Sequence, residues 1–323
     1  MTRTVAISQV DMPDASIEQQ VFDEANEDYH VRVGQAASEH ELIELARDAD
    51  GLIVQYAEVS ENVLRNLPEL KIVSRYGIGV DSIDIRSASK HQVAVTHVPS
   101  YCEEEVATHT LSLLLGVNRH IAGFDAQVKD GVWDWKHGRP IPSLNGLNVG
   151  FVAFGKIPRT FMQLAAGFEF QYQTFDPYLS PEDVADLPIK LVSWEKLLGS
   201  SDIISIHAPL TDQTRGMLDQ KAFEQMQPHA VVINTARGAI INEEALYWAL
   251  SNGEIAGAGI DVMVEEPPVD SPLLEHDAIV ITPHVAWYSE ASVDSLRRKT
   301  AENLVRYFAG DRPHGFVNQG EIN

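Results

Sequence analysis

The chain has 323 residues, 44% hydrophobic and 22% charged, a globular composition with length enough for two domains. Lys and Arg total 24 against 47 Asp and Glu, a net charge of −23, which argues against nucleic acid or an anionic membrane as partner, since both need a basic face. Cys102 is the single cysteine, so there is no disulfide framework or cysteine zinc site, and no apolar run reaches the roughly 20 residues that span a bilayer.

The opening stretch MTRTVAISQVDMPD lacks the apolar core of a signal peptide, so a cytoplasmic location is expected. Only 9 of the 24 cations are Lys, and the acidic excess runs along the whole chain. That pattern suits a salt-rich cytosol and equally an ordinary acidic cytosolic protein.

In chain order, short β-branched runs alternate with helix-period segments. The first third offers strands at 4–10, 29–33, 51–57, 70–77 and 93–98, with helices such as His40–Ala49 and Glu61–Asn66 between them. A long apolar helix follows over about 103–120. A second series places strands at 148–155, 168–177, 189–194, 202–209, 230–236, 257–262 and 278–285, and a helix over about 289–309 closes the chain. Alternation of this kind predicts parallel sheets covered by helices. The last helix follows the final strand of the second series, so it is expected to cross back and complete a discontinuous first domain.

The strand NVGFVAF runs into Gly155-Lys156-Ile157-Pro158 and then a helix through TFMQLAAGF, while Asp176 closes the next strand 21 residues after Gly155. Strand, tight turn, helix N-terminus and a later acid form the context of a Rossmann dinucleotide fingerprint. Only one of its three glycines is present, because Ala153 and Pro158 occupy the other two positions. Gly155 stands where backbone must approach phosphate, and the amides of Lys156 and Ile157 remain to cradle it. Asp176 favours NAD, since a carboxylate accepts from a free 2′-hydroxyl and repels a 2′-phosphate. An ordinary βα turn, with Asp176 capping the bend before Pro177, is the competing explanation.

Three later strand ends carry polar residues where α/β folds bind ligands: Arg237 in INTARG, Asp261 and Glu266 in GIDVMVEEPP, and His284 in TPHVAWYSEAS. An arginine, a carboxylate and a histidine beside a nicotinamide suit hydride transfer on a 2-oxo or 2-hydroxy acid. Arg237 can hold the carboxylate by paired charge-assisted hydrogen bonds. His284 can give or take the hydroxyl proton, and Glu266 beside it would favour the imidazolium and fix its orientation. Singly, each residue reads equally well as a salt bridge, a satisfied histidine or a solvated turn.

RYGIGVDSIDI, EEEVATHTLSLLL, DPYLS, HAPLTDQTRGML, INTARGAIINEEAL, DVMVEEPP and TPHVAWYSEAS together resemble the D-isomer-specific 2-hydroxyacid dehydrogenase family. The Trp-Tyr-Ser-Glu after His284 resembles its C-terminal-binding-protein-like branch. The resemblance implies a catalytic trio of Arg237, Glu266 and His284, and NAD as cofactor. It also implies NAD contacts from Ile78, Thr110, Lys156, Ile157, Asp176, Pro209, Thr214, Thr235, Ala236 and Asp261, beside Gly155, Arg237 and His284 at the same site. His207 is read as shaping the cofactor pocket. Ile78 and Gly79 would bind the substrate carboxylate, and Trp287 would overhang the substrate and suit an apolar or thioether tail. Asn242 stands where the family has Asp and is read as structural.

The expected architecture is therefore α/β, with two Rossmann-like or flavodoxin-like doubly wound domains. Residues 1–101 plus 288–323 would form the substrate domain and 102–287 the NAD-binding domain. The 12 histidines show no ligand spacing, so no metal is expected. The aromatic stretch Val132-Trp133-Asp134-Trp135 is read as a subunit contact of a homodimer, with simple core-edge packing as the alternative. Phosphoglycerate is disfavoured as substrate, because an indole at position 287 offers a phosphate no charge and no regulatory domain follows residue 323. The favoured function is an NAD-dependent dehydrogenase interconverting a 2-oxo acid and its D-2-hydroxy acid. The alternative is a dinucleotide-sensing binding protein of the corepressor type with little turnover, toward which the eroded glycine turn points.

Overall fold

A computed structural model describes every residue except Met1, Gln9, Val10, Pro13, Ala37, Gly138, Arg139 and Asn323. The chain divides into two compact units, Met1–Tyr101 with Ser289–Asn323, and Cys102–Tyr288.

The first unit holds five parallel strands, β1 (Arg3–Ser8), β2 (Tyr29–Gly34), β3 (Gly51–Val54), β4 (Ile72–Arg75) and β5 (Ala94–Thr96), in the order β2-β1-β3-β4-β5. The end of the expected first strand, residues 9 and 10, lies outside the described residues. β3 is buried along its whole length, as a strand covered on both faces must be. Helix starts follow side-chain chemistry: Ser38, Ser60 and Asp84 each accept from the amide three residues on. The terminal helix Glu290–Phe308 buries Leu296, Thr300, Ala301 and Leu304, one stripe at helical spacing. A buried ion pair ties its packing to the chain start. Arg297, 3% exposed, donates to the fully buried Glu18 through Nε at 2.8 Å and Nη2 at 2.6 Å, and Tyr76 Oη donates to the same carboxylate at 2.7 Å. Full hydrogen bonding is what makes such a buried pair tolerable.

The second unit holds β6 (Asn148–Val152), β7 (Gln171–Phe175), β8 (Ile189–Leu191), β9 (Ile203–Ile206), β10 (Val231–Asn234), β11 (Gly257–Ile260) and β12 (Ile279–Ile281). All pairings are parallel, in the order β12-β11-β10-β9-β6-β7-β8, so the winding reverses between β6 and β9, the crevice where such sheets take ligands. The helix Glu103–Asn118 buries Val106, Ala107, Thr110, Leu113, Leu114 and Val117 in a core shared with Phe151, Phe154, Phe161 and Ile233.

Both units are thus the parallel-sheet α/β domains that the alternation predicts. Boundaries differ where turn chemistry outweighs hydrophobicity. Residues 166–168 form a 3₁₀ turn and Glu169 is left-handed at φ 55°, so β7 begins only at Gln171. Trp194, expected to end a strand, opens a helix because Ser193 caps it by accepting from Lys196 N at 3.3 Å. No helix among the described residues is long and apolar enough to cross a membrane.

Candidate active site

β6 feeds a turn in which Ala153 adopts φ 69°, a left-handed conformation costing a residue with a Cβ about 1–2 kcal/mol. Gly155 then stands at the N-cap of the helix Lys156–Leu164, and no side chain caps that end. A Cβ built on Gly155 would meet nothing within 4 Å. The positive end of the helix therefore opens onto free space, the arrangement a pyrophosphate requires. Pro158 is the third helical residue and is buried. Its missing N–H is one of the first four, which have no intrahelical acceptor.

Asp176 follows β7 and is drawn onto this turn: Oδ2 accepts from Phe154 N at 3.0 Å and Oδ1 from Tyr178 N at 2.9 Å. Each oxygen keeps a lone pair for a ribose hydroxyl. After β9, His207 pairs through Nε2 with Ser205 Oγ at 2.8 Å, and burial pushes the imidazole down to about 3, so the ring is neutral. Thr214 closes the next loop by donating to Pro209 O at 2.6 Å and accepting from Thr211 N at 2.8 Å. This donor set fits a dinucleotide.

The chemistry-bearing loops leave the three adjacent strands β10, β11 and β12. At the end of β10, Asn234 staples the loop from both sides, accepting from Ala236 N at 3.0 Å and donating to Arg237 O at 2.9 Å. Arg237 Nη1 donates to Ala236 O at 2.7 Å. Thr110, expected as a cofactor contact, is fully buried, and its Oγ1 lies 2.9 Å from Thr235 Oγ1. It reaches this site through Thr235. A Cβ on Gly238 would sit 2.0 Å from Met263 C, so glycine alone lets the Arg237 loop lie against the loop after β11.

Asp261 is 1% exposed and binds its surroundings through both oxygens. Oδ1 accepts from Thr282 Oγ1 at 2.5 Å and Val285 N at 3.0 Å, and Oδ2 accepts from Ala286 N at 2.8 Å. Burial works against its charge, but contacts with His109, Thr282 and the two amides hold the carboxyl below the usual range. His109 Nε2 lies 2.9 Å from Thr282 Oγ1, so protons run consistently from His109 to Thr282 to Asp261. The carboxylate thereby grips the turn that carries His284, whose own amide donates to Asp261 O at 2.7 Å and whose φ is 52°.

His284 Nδ1 and Glu266 Oε2 are 2.6 Å apart, and Glu266 Oε1 accepts from Met263 N at 3.0 Å. Burial raises the Glu266 carboxyl, yet His284, the Met263 amide and the charge of Arg237 together hold it below its ordinary value. Glu266 is therefore at once a turn cap and the partner of the histidine. Trp287, expected over the substrate, donates its indole N–H to His284 O at 2.9 Å and meets Tyr288 edge-on. Asn242 caps the helix Glu243–Asn252 by accepting from Ala245 N at 2.9 Å.

Ile78 and Gly79 belong to the first unit, in the turn after β4. Neither of their N–H groups has a partner among the described residues. Sequence reasoning named candidate site residues but not those that hold them in place: Asn234, Gly238, His109 and Thr282. All four lie next to expected site residues or two removed from them, His109 beside Thr110, Asn234 beside Thr235, Gly238 beside Arg237 and Thr282 two before His284, the one signal that pointed their way.

A family model described as the NAD binding domain of D-isomer specific 2-hydroxyacid dehydrogenases matches residues 111–286. Glyoxylate reductase of Thermococcus litoralis is 34% identical over 285 residues, covering 86% of each chain. D-3-phosphoglycerate dehydrogenase of Mycobacterium tuberculosis is 35% identical over 280 residues, 86% of this chain but 53% of its own. The chain thus spans about half the length of the phosphoglycerate dehydrogenases it matches. Among solved structures, D-lactate dehydrogenase of Aquifex aeolicus, complexed with NAD and lactic acid, has a TM-score of 0.85 at 26% identity, covering 98% of this chain and 99% of that one.

Proposed function

Because the chain belongs to the D-isomer-specific 2-hydroxyacid dehydrogenase family and is an NAD-dependent enzyme of that class, we propose that it interconverts a 2-oxo acid and the D-2-hydroxy acid, with Arg237, Glu266 and His284 as catalytic residues. The 2.6 Å contact between His284 Nδ1 and Glu266 Oε2 carries this reading. It leaves Nε2 as the ring nitrogen that faces substrate.

In the reducing direction, the chemistry that NADH would supply when bound is a hydride for the carbonyl carbon. His284 Nε2 donates the proton that the carbonyl oxygen takes up, and Glu266 offsets the imidazolium charge before that transfer. Arg237 presents a planar fork to the substrate carboxylate and polarises the carbonyl beside it. The amides of Ile78 and Gly79 would bind a substrate carboxylate. Gly155, Lys156 and Ile157 would hold the pyrophosphate, and Asp176 would take the ribose hydroxyls. His207, Pro209, Thr214, Thr235, Ala236 and Asp261, with Thr110 behind Thr235, line the rest of the cofactor site.

The favoured substrates are 2-oxo acids with a short or apolar tail, since Trp287 brings no cation near a phosphate. We also read the enzyme as a cytosolic homodimer. Trp133 and Trp135 are 89% and 80% exposed, and they border an apolar groove with Phe124 and Val128 that a second copy would cover. NADH or NADPH oxidation with glyoxylate, pyruvate, phosphohydroxypyruvate and longer aliphatic or thioether 2-oxo acids tests the function. Turnover with NADH preferred over NADPH is expected. Tight NADH binding with no turnover on any acid would favour the dinucleotide sensor instead.

A further inference from the structure

We propose that His97 is a positioning residue, whose imidazole sets the orientation of the Ile78–Gly79 peptide that receives the substrate carboxylate. The inference rests on the reading of that turn given above and adds the device that aims it.

His97 Nδ1 lies 2.6 Å from Ile78 O. A carbonyl oxygen only accepts, so Nδ1 carries the proton and donates. The Ile78 carbonyl and the Gly79 N–H belong to one planar trans peptide and point in opposite directions. Fixing the carbonyl on His97 therefore aims the Gly79 N–H away from His97, on the side where it meets no partner among the described residues. Accepting a hydrogen bond at the carbonyl also polarises the amide and makes its N–H a stronger donor. The preceding peptide is held by the same segment, since Val98 N donates to Gly77 O at 3.0 Å.

His97 is itself anchored on several sides within the first unit. Its amide donates to Gly315 O at 3.0 Å, its carbonyl accepts from Asn303 Nδ2 at 3.0 Å, and Asn303 Oδ1 accepts from His314 N at 2.8 Å. A Cβ on Gly315 would lie 2.5 Å from the ring carbon Cδ2, so the C-terminal segment packs directly on the imidazole. Burial, aided by the positive charge of Arg75, holds the ring below the usual histidine range, although the bond to Ile78 opposes this. At neutral pH the ring is uncharged, with its one N–H committed to Ile78.

The experiment compares wild type, His97→Phe and His97→Asn, using a good 2-oxo acid substrate, the primary amide of the same skeleton, and NADH. Phenylalanine keeps the ring volume and loses the donor, whereas asparagine hangs Nδ2 on Cγ as histidine hangs Nδ1. His97→Phe should raise KM for the acid by roughly two- to tenfold, the worth of one net hydrogen bond. The value of kcat and the Kd for NADH should stay near wild type. The wild-type preference for acid over amide should shrink in His97→Phe, and His97→Asn should restore both KM and preference. If wild type prefers the acid and His97→Phe keeps its KM, His97 has no positioning role and the carboxylate reading stands. An equal rise in both variants marks a packing effect and overturns the proposal. No wild-type preference for acid over amide defeats the carboxylate reading, and the proposal with it.

Discussion

Glu266 Oε2 sits 2.6 Å from His284 Nδ1 while its other oxygen accepts from Met263 N at 3.0 Å, so one carboxylate joins a backbone turn to the imidazole. The second bond pins the first in place, and the ring cannot turn Nδ1 toward substrate without losing a charge-assisted partner.

The pH dependence of Glu266→Gln follows. Its carboxyl is held below the ordinary range, so the charge is present throughout neutral and mildly acidic conditions. In the proposed mechanism His284 gives a proton in reduction and takes one in oxidation, so the pH–rate profile reads its contact with Glu266. A glutamine keeps the shape but not the charge, so the variant's profiles should depart from wild type in reduction and in oxidation alike. A depressed carboxyl stabilises the fold above its unfolded value near 4.3, and that stability is lost as pH falls through the folded value. The variant should show less of this acid destabilisation. Superimposable pH–rate profiles would remove Glu266 from the catalytic assignment.

Gly238→Ala tests whether the Arg237 and Glu266 loops must stay pressed together. The new methyl would fall 2.0 Å from Met263 C, and backbone has to move. Since Met263 N holds Glu266, both catalytic loops shift. A displacement near 1 Å can cost on the order of 10²-fold in rate. We expect kcat/KM to fall on that scale while far-UV circular dichroism stays near wild type. A variant that turns over like wild type would show that the close approach does not matter to catalysis.

Ala153→Gly addresses the eroded turn. The alanine sits at φ 69°, and removing its Cβ relieves a cost of about 1–2 kcal/mol. Glycine's greater freedom in the unfolded chain offsets roughly 0.5–1 kcal/mol of that. Urea unfolding should therefore show a gain of between about 0 and 1.5 kcal/mol, with NADH binding no weaker. Pro158 is the poorer place for repair, since it is buried and glycine there would leave a void. A destabilised Ala153→Gly would mean that the methyl packs usefully despite the backbone strain.

The fold was legible because parallel strands are buried on both faces and announce themselves as continuous runs such as Val231–Asn234, all of it buried. Element ends were less so. Ser193 and Glu169 act through capping and a left-handed backbone, which hydrophobic period does not record. At the site, Arg237, Glu266 and His284 were visible as polar residues at strand ends. Their supports were not, because they come from afar in sequence: His109 reaches Thr282 across 173 positions, and although Thr110 and Thr235 were both named, their pairing across 125 positions was not. The meaning of Ala153 also waited on its φ, since the sequence records a missing glycine and not the conformation the alanine must adopt.

The most direct test of the account is His284→Ala, assayed for NADH oxidation by the best 2-oxo acid and, separately, for NADH binding by fluorescence titration. General acid catalysis is worth roughly 10²–10⁴-fold, so turnover should fall by at least about 10²-fold while the NADH Kd stays near wild type. A loss below about tenfold would contradict the assignment of His284 as the proton donor.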